Sequence, residues 1–239
     1  LAGPGNNGGD AFEAARLLRE QFFETCVVFA GDSGKLPPDA AAAYQRFVEA
    51  GGTTRNAIPA AGQWSLIIDG LFGIGLARAP AGHYAEWIAT ANLLATRDGC
   101  PLLALDCPSG LNADSGQAFQ PCIRASHTIT FIAAKPGLLT AEGPDHCGET
   151  RVAGLALTPE SEVPADGRRV AIADFSSHLA PRRLNSHKGS YGSAGILGGA
   201  QSMVGAAFLA GRAALKLGAG RVYLGLLDPQ PPACDLQQP

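Results

Sequence analysis

The sequence lacks most of the features that announce specialised classes of protein. Its six cysteines (Cys26, Cys100, Cys107, Cys122, Cys147 and Cys234) form no C-x-x-C pair, and no histidine spacing completes a zinc site. They read as small buried apolar residues in a reducing compartment, with the cytoplasm as the expected setting. Basic residues are not in excess: 18 Lys and Arg stand against 21 Asp and Glu, a net charge of -3. That excludes a broad cationic surface for nucleic acid, although a small phosphate-bearing ligand needs only a few amides and one or two cations. No apolar run is long enough to cross a bilayer, and no charged start leads into a signal-type segment, so no membrane partner is expected. No two histidines stand at helical metal-binding spacing, so His83, His127, His146 and His178 read as structural or surface residues. No G-K-[ST] follows the glycine-rich turn near the start, which excludes a nucleotide triphosphatase P-loop.

What is present begins with that turn, Gly3-Pro4-Gly5-Asn6-Asn7-Gly8-Gly9-Asp10. Its glycines suit positive φ and close approach to a ligand. Asp10 reads as the N-cap of a helix whose apolar stripe is Ala11, Ala14, Ala15, Leu18 and Phe22. A tight turn with outward amides at a helix start is a phosphate cradle. No strand-length segment precedes it, so the chain reads as a fragment of a longer protein.

Further along, apolar strands are expected at Cys26 to Ala30, Trp64 to Asp69, Pro101 to Leu105 and His127 to Ala133, with an edge strand at Arg151 to Leu157. Helices are expected at Pro38 to Ala50 and Tyr84 to Arg97. This alternation predicts an α/β fold, a three-layer αβα Rossmann-like domain with a mostly parallel sheet. Polar and glycine-rich loops at Asn6 to Asp10, Asp69 to Leu76 and Asp106 to Gly110 follow strands, so they can converge on one crevice. From Thr158 the texture turns to Pro, Ser, Asp and Arg, which predicts a linker over 158–185. Strands at Ser193 to Gly199 and Arg221 to Leu227, with a helix at Val204 to Leu217 between them, begin a second and incomplete domain over 186–239.

Spacing alone leaves several roles open. Gly3 to Gly8 satisfies G-x-G-x-x-G, and Asp32 stands where a ribose-binding acid could sit, yet the paired asparagines are unlike a dehydrogenase turn. Asp106 is either a turn-capping acid or a reactive carboxylate, Lys135 either a surface cation or a strand-end one, and Asp69 either a loop acid or a ligand.

The phrase Ala2 to Asp10 closely resembles the NAD(P)HX epimerase family, also called the YjeF N-terminal domain. Ile68 to Leu76, Ala104 to Leu111, and Thr128 to Phe131 leading to Lys135-Pro136-Gly137-Leu138 resemble it in order, and the resemblance covers 1–157. His187 to Gly192 through Leu227 resembles the start of a ribokinase-like ADP- or ATP-dependent NAD(P)H-hydrate dehydratase. The resemblance implies an isomerase that interconverts R and S hydrated NADH and NADPH in cofactor repair, from a bifunctional parent that also carries a lyase. No dehydratase activity is expected from this chain. It further implies that Asn6, Asn7, Gly8, Gly9 and Asp10, with Gly73, Ile74, Gly75, Leu76, Ala77, Arg78 and Ala79, line the substrate. Asn7, Asp69 and Ser109 would hold a potassium ion. Asp106 would contact the damaged ring as general acid/base with Lys135 as its partner, and the family admits a homo-oligomer. Two departures stand out: Ala11 replaces a usual glycine and Cys107 a usual isoleucine. The rival readings are a nicotinamide-dependent oxidoreductase using Asp32 and a non-catalytic binding or scaffold protein on the same fold.

Overall fold

A strand whose side chains alternate between two apolar faces must be covered on both sides, and the computed structural model does this with helices. It describes residues 1–157, 163–165, 167–179 and 181–230, in compact units divided after Asp166. Cys234, the end of the proline-rich tail and part of the expected linker lie outside the described residues.

The first unit contains α1 (Asn6–Glu20), β1 (Val27–Val28), α2 (Pro38–Glu49), β2 (Thr54–Arg55), β3 (Ile67–Asp69), α3 (His83–Asp98), β4 (Leu102–Leu105), β5 (His127–Phe131), α4 (Gly143–Cys147) and β6 (Glu149–Ala153). β3, β4, β5 and β6 form a parallel sheet in that order, with Asp69 level with Ala104 and Leu105 level with Ile129. β1 and β2 pair in parallel beside it. Leu1 and Ala2 bridge the two groups: the Ala2 N–H donates to Val28 O (2.9 Å), and the Gly70 N–H donates to Leu1 O (2.9 Å). The spatial order is therefore β2, β1, Leu1–Ala2, β3, β4, β5, β6, and it reverses direction beside β3.

Alternation assigns the layers. Ile67, Leu102 and Ala104 pack under Trp87, Ile88 and Ala91 of α3. Ile68, Leu103 and Leu105 face the other way, toward Ala11, Phe12 and Ala15 of α1 and Ala43 and Phe47 of α2. Phe12 anchors that side, with Phe29 and Tyr44 ring centroids at 5.3 and 5.1 Å, edge on. A third cluster holds the thiols of Cys107, Cys122 and Cys147 with Leu111 and Leu138. All five described cysteines are free. Among the described residues no helix is long and apolar enough to cross a membrane.

Three expectations about the first helix need correction. It starts at Asn6 with Gly5 as N-cap, so Asp10 lies within it and caps nothing. Its buried face is Ala11, Phe12 and Ala15, whereas Phe22 falls in the turn beyond the helix at 97% exposure. None of Gly3, Gly5, Gly8 and Gly9 has positive φ. The glycines are there for contact instead. A Cβ on Gly3 would lie 1.7 Å from Leu71 O, one on Gly8 1.9 Å from Gly3 O, and one on Gly9 2.8 Å from the Ala40 Cα. The start of α1 is thus seated backbone against backbone on the strand end and on α2.

In the second unit β7 (Ser193–Gly198) and β8 (Arg221–Leu226) are parallel neighbours joined by the helix Val204–Leu217. Ala207 and Gly211 form its buried side, and a Cβ on Gly211 would press on Leu224 at 3.1 Å. The short 3-10 turn Ile172–Phe175 falls in the segment expected as linker.

Two predictions follow from packing. Gly8→Ala lowers the unfolding free energy by about 3 kcal/mol or more, as overpacking against backbone does. Gly5→Ala, with nothing within 4 Å of the new Cβ, stays within about 1 kcal/mol; urea titration compares the two. Burial pushes the Cys122 thiol up to about 12 and the Cys147 thiol up to about 11 from an ordinary 9.0. The folded chain then holds these protons more tightly than the unfolded one. Their stabilising contribution is complete below pH 9 and is lost as pH rises toward 11 and 12. Melting temperatures between pH 8 and 11 read this decline, and iodoacetamide mapping at pH 8 should leave both thiols unlabelled.

Candidate active site

The C-terminal ends of β3, β4 and β5 lie along one edge of the sheet, and each delivers a polar side chain there. Asp69 ends β3 and is fully buried. Its Oδ1 accepts from Ser109 Oγ (2.7 Å) and from the Leu71 N–H (3.2 Å), and its Oδ2 accepts from the Ser109 N–H (2.8 Å). Burial pushes the Asp69 carboxyl above the usual range, and the bonds from Ser109 and Leu71 work against that rise. Ser109 Oγ in turn accepts the Phe72 N–H (2.9 Å), while Phe72 O accepts from Asn7 Nδ2 (3.0 Å). Asn7, Asp69 and Ser109 are therefore gathered around one backbone residue, Phe72.

One atom in this group is left over. Asn7 Oδ1 is buried and has no hydrogen-bond partner. A buried amide oxygen without a donor is costly. Beside a buried carboxylate and a serine hydroxyl it makes an all-oxygen set, the donor chemistry of a hard cation. Among the described residues no group of three His, Cys, Asp or Glu side chains could hold a metal.

Asp106 follows β4 at φ +63°, a left-handed conformation that costs a non-glycine residue. The turn is fixed by the Asp106 N–H donating to Ile129 O (2.7 Å) and the Cys107 N–H donating to Leu105 O (2.8 Å). It swings the carboxylate over the sheet edge. There Lys135 Nζ donates to Asp106 Oδ1 (2.6 Å), to Thr130 Oγ1 (2.7 Å) and to Phe131 O (2.7 Å). Three donors meet three acceptors, so the ammonium is fully engaged. The other carboxylate oxygen accepts the Ile74 N–H at 3.3 Å. Gly73 fills the gap between the two groups: a Cβ there would lie 2.9 Å from Asp106 Oδ2 and 3.6 Å from Asn7 Cγ. Asp10 faces the same cleft, and its carboxyl is raised by partial loss of water and then by the charge of Asp106.

A family profile described as "YjeF-related protein N-terminus" matches residues 1–137. The chain belongs to this family. Among its relatives, an NAD(P)H-hydrate epimerase of Achromobacter xylosoxidans is 44% identical over 162 residues, covering 66% of this chain and 76% of that one. A bifunctional NAD(P)H-hydrate repair enzyme of Leishmania major is 39% identical over 231 residues, 92% of this chain and 40% of the relative. The Escherichia coli enzyme of the same description, Nnr, is 38% identical over 228 residues, 93% of this chain and 43% of the relative. The chain thus spans about two fifths of the length of these bifunctional relatives. The crystal structure of yeast YNL200c superposes with a TM-score of 0.51 at 19% identity, covering 66% of this chain and 65% of that one, and shares the fold.

Within this YjeF-type domain the expected substrate residues differ in placement. Asn6 and Asp10 are exposed, and so are Ile74, Gly75, Ala77, Arg78 and Ala79, with Leu76 half-buried. Gly8 and Gly9 are buried, and their amides already donate to Gly5 O at 3.0 and 3.3 Å. The amides of the first helical positions, Asn6 and Asn7, are the ones that an α-helix leaves unbonded internally. Thr130 was not anticipated, although a Thr-x-Thr pair inside an apolar strand was a readable signal. Thr128 and Thr130 are both fully buried, the first donating to Cys147 O (2.7 Å). Asn112 was also missed; its Nδ2 holds Leu76 O at 3.3 Å and so steadies the exposed loop.

Ser109→Ala removes the acceptor of the Phe72 N–H and one donor to a buried carboxylate. It should cost about 1–3 kcal/mol in urea unfolding, whereas exposed Thr140→Ala should stay within about 0.5 kcal/mol.

Proposed function

We propose that the chain epimerises the R and S forms of hydrated NADH and NADPH, as an isomerase of nicotinamide cofactor repair. The observation that carries this reading is the Asp106–Lys135 pair, held at a strand end one glycine away from the Asn7 side chain. Relatives named for NAD(P)H-hydrate epimerisation support it. Residues 186–239, within the unit that begins at Gly167, are on this reading the opening of a dehydrating domain that acts on the same hydrates with ADP or ATP.

Inverting a carbinolamine carbon requires its C6–O or N1–C6 bond to open and then re-form on the opposite face. Asp106 is the group proposed to give and take the proton at the ring hydroxyl. Its strained turn fixes the carboxylate, and Lys135 with Thr130 holds it from behind, leaving Oδ2 toward the Gly73–Ile74 loop. The exposed start of α1 would meet the phosphates with its unbonded amides and the positive end of the helix dipole.

Asn7 Oδ1, Asp69 and Ser109 would hold a potassium ion. When bound, that ion would supply a fixed positive charge beside the substrate oxygens and give the orphaned Asn7 oxygen a partner. The oxidoreductase alternative rests on Asp32, but this carboxylate caps the Gly34 N–H (3.0 Å) and pairs with Lys35 (3.6 Å).

Chromatographic separation of the epimers, starting from one pure form, tests the proposal. Wild type should equilibrate them. Asp106→Asn, the isostere best suited to positive φ, should lose about 10²–10⁴-fold in rate while still unfolding cooperatively in urea, at a lower midpoint because Lys135 loses its charge partner. Potassium should accelerate the wild type more than sodium does, and Asn7→Ala should abolish that difference. Full turnover in Asp106→Asn, or oxidation of NADH in place of epimerisation, would overturn the assignment.

A further inference from the structure

The site described above occupies only one wing of the sheet, the ends of β3, β4 and β5 with the start of α1. The strand order reverses between Leu1–Ala2 and β3. In open parallel sheets a ligand made of two halves lies across such a reversal, one half over each wing. The ends of the opposite wing, β1 and β2, carry a cavity of about 600 Å³ that the proposed chemistry leaves unused.

The chemistry of that cavity is specific. Ile58 and Pro59, with an edge of Phe29, give part of its lining apolar contact for a flat heterocycle, and the Asn56 amide offers both a donor and an acceptor to a base edge. Arg55 is exposed at the rim, and no carboxylate pairs with it among the described residues. No acid lines the cavity. Asp32, the one acid that the sequence places near the end of β1, turns back onto the Gly34 N–H and is not in the lining. In sheets of this topology an acid at this wing grips a ribose 2′-hydroxyl, whereas an arginine accommodates a 2′-phosphate.

The reach also fits. Three strand spacings of about 4.8 Å separate β2 from β3, so the cavity lies about 14 Å from the Asp69 strand along the sheet edge. A pyridine dinucleotide laid over that edge would put its pyrophosphate above the start of α1 and its two nucleosides over the two wings.

We propose that the cavity between the ends of β1 and β2 receives the adenosine half of the substrate, and that Arg55 binds its 2′-phosphate, favouring the phosphorylated dinucleotide hydrate. The inference rests on the epimerase reading for the identity of the reacting half, but not for the binding of the adenosine half.

Fragments that lack a nicotinamide ring separate the two. Adenosine 2′,5′-bisphosphate and AMP are titrated calorimetrically into the whole chain. The bisphosphate should bind at least tenfold more tightly than AMP. Arg55→Glu should erase that preference and raise the KM for NADPHX about tenfold relative to that for NADHX. Arg55→Lys, which keeps the charge but loses the two-pronged geometry, should recover part of both. The Arg55 side chain makes no internal hydrogen bond or ion pair in the described structure, and melting curves verify that the variants fold. Equal affinity for the two fragments, or an unchanged KM ratio in Arg55→Glu with epimerisation intact, sinks the subsite and spares the reaction. A retained bisphosphate preference in a protein that does not epimerise supports the subsite and sinks the reaction.

Discussion

Everything at the site depends on a contact between two stretches of backbone. Gly3 and Gly8 lie against Leu71 and against each other with no room for a methyl group, and Gly70 is pressed in the same way onto Ala11 and the Asn7 carbonyl. This seat decides where α1 begins. It therefore decides that Asn7 enters the protein while Asn6 and Asp10 stay outside. It also fixes the loop after β3, whose Phe72 backbone joins Asn7 to Ser109 and whose Gly73 brings Asn7 beside Asp106. Larger residues would have to lever the helix away from the sheet, and the oxygen set would come apart with it.

The Asp106–Lys135 pair is built on a different plan. Its position comes from strain and saturation. Asp106 is forced to positive φ by two short backbone bonds, and Lys135 has every donor committed. Both side chains are mostly buried, and the second carboxylate oxygen is turned toward the Ile74 N–H of the exposed loop. The oxygen set of Asn7, Asp69 and Ser109 is by contrast buried and would hold charge only by enclosing it. Two kinds of electrostatic environment thus lie within one loop of each other, one fully buried and one half-buried at the sheet edge.

Much of this could be read from the residues. Strands in this fold are continuous apolar runs that end in polar loops, so their ends located Asp69, Asp106 and Lys135 before any coordinates were known. What could not be read depended on partners distant in sequence. The glycines of the first turn looked conformational, but they answer to Leu71 and Ala40, which only the folded chain brings near. Asp10 looked like a cap because the first polar residue before an apolar stripe usually is one; here the helix starts earlier, at Asn6. The strand Thr54–Arg55 is two residues long and leaves no periodicity, so the Arg55 side of the cavity was not legible, although the apolar strand leading to Phe29 was. Thr130 was overlooked because threonine is at home in any strand, and its role exists only through the lysine five residues later.

The ring formed by Asp106, Lys135 and Thr130 has one more consequence, for the ionic character of binding. As a unit it is electrically neutral, because the lysine's charge is cancelled within 2.6 Å. A dinucleotide in the proposed site would therefore meet no free charge from Lys135, and the whole chain carries -3. On the proposed reading, attraction for the phosphates would come from oriented amides at close range, with Arg78 in the loop after β3 and Arg55 at the far end as exposed full charges. Dipoles act over short distances and release few counterions. In the proposed site, capture of the ligand would rest mainly on fit, with ionic strength acting through those two arginines.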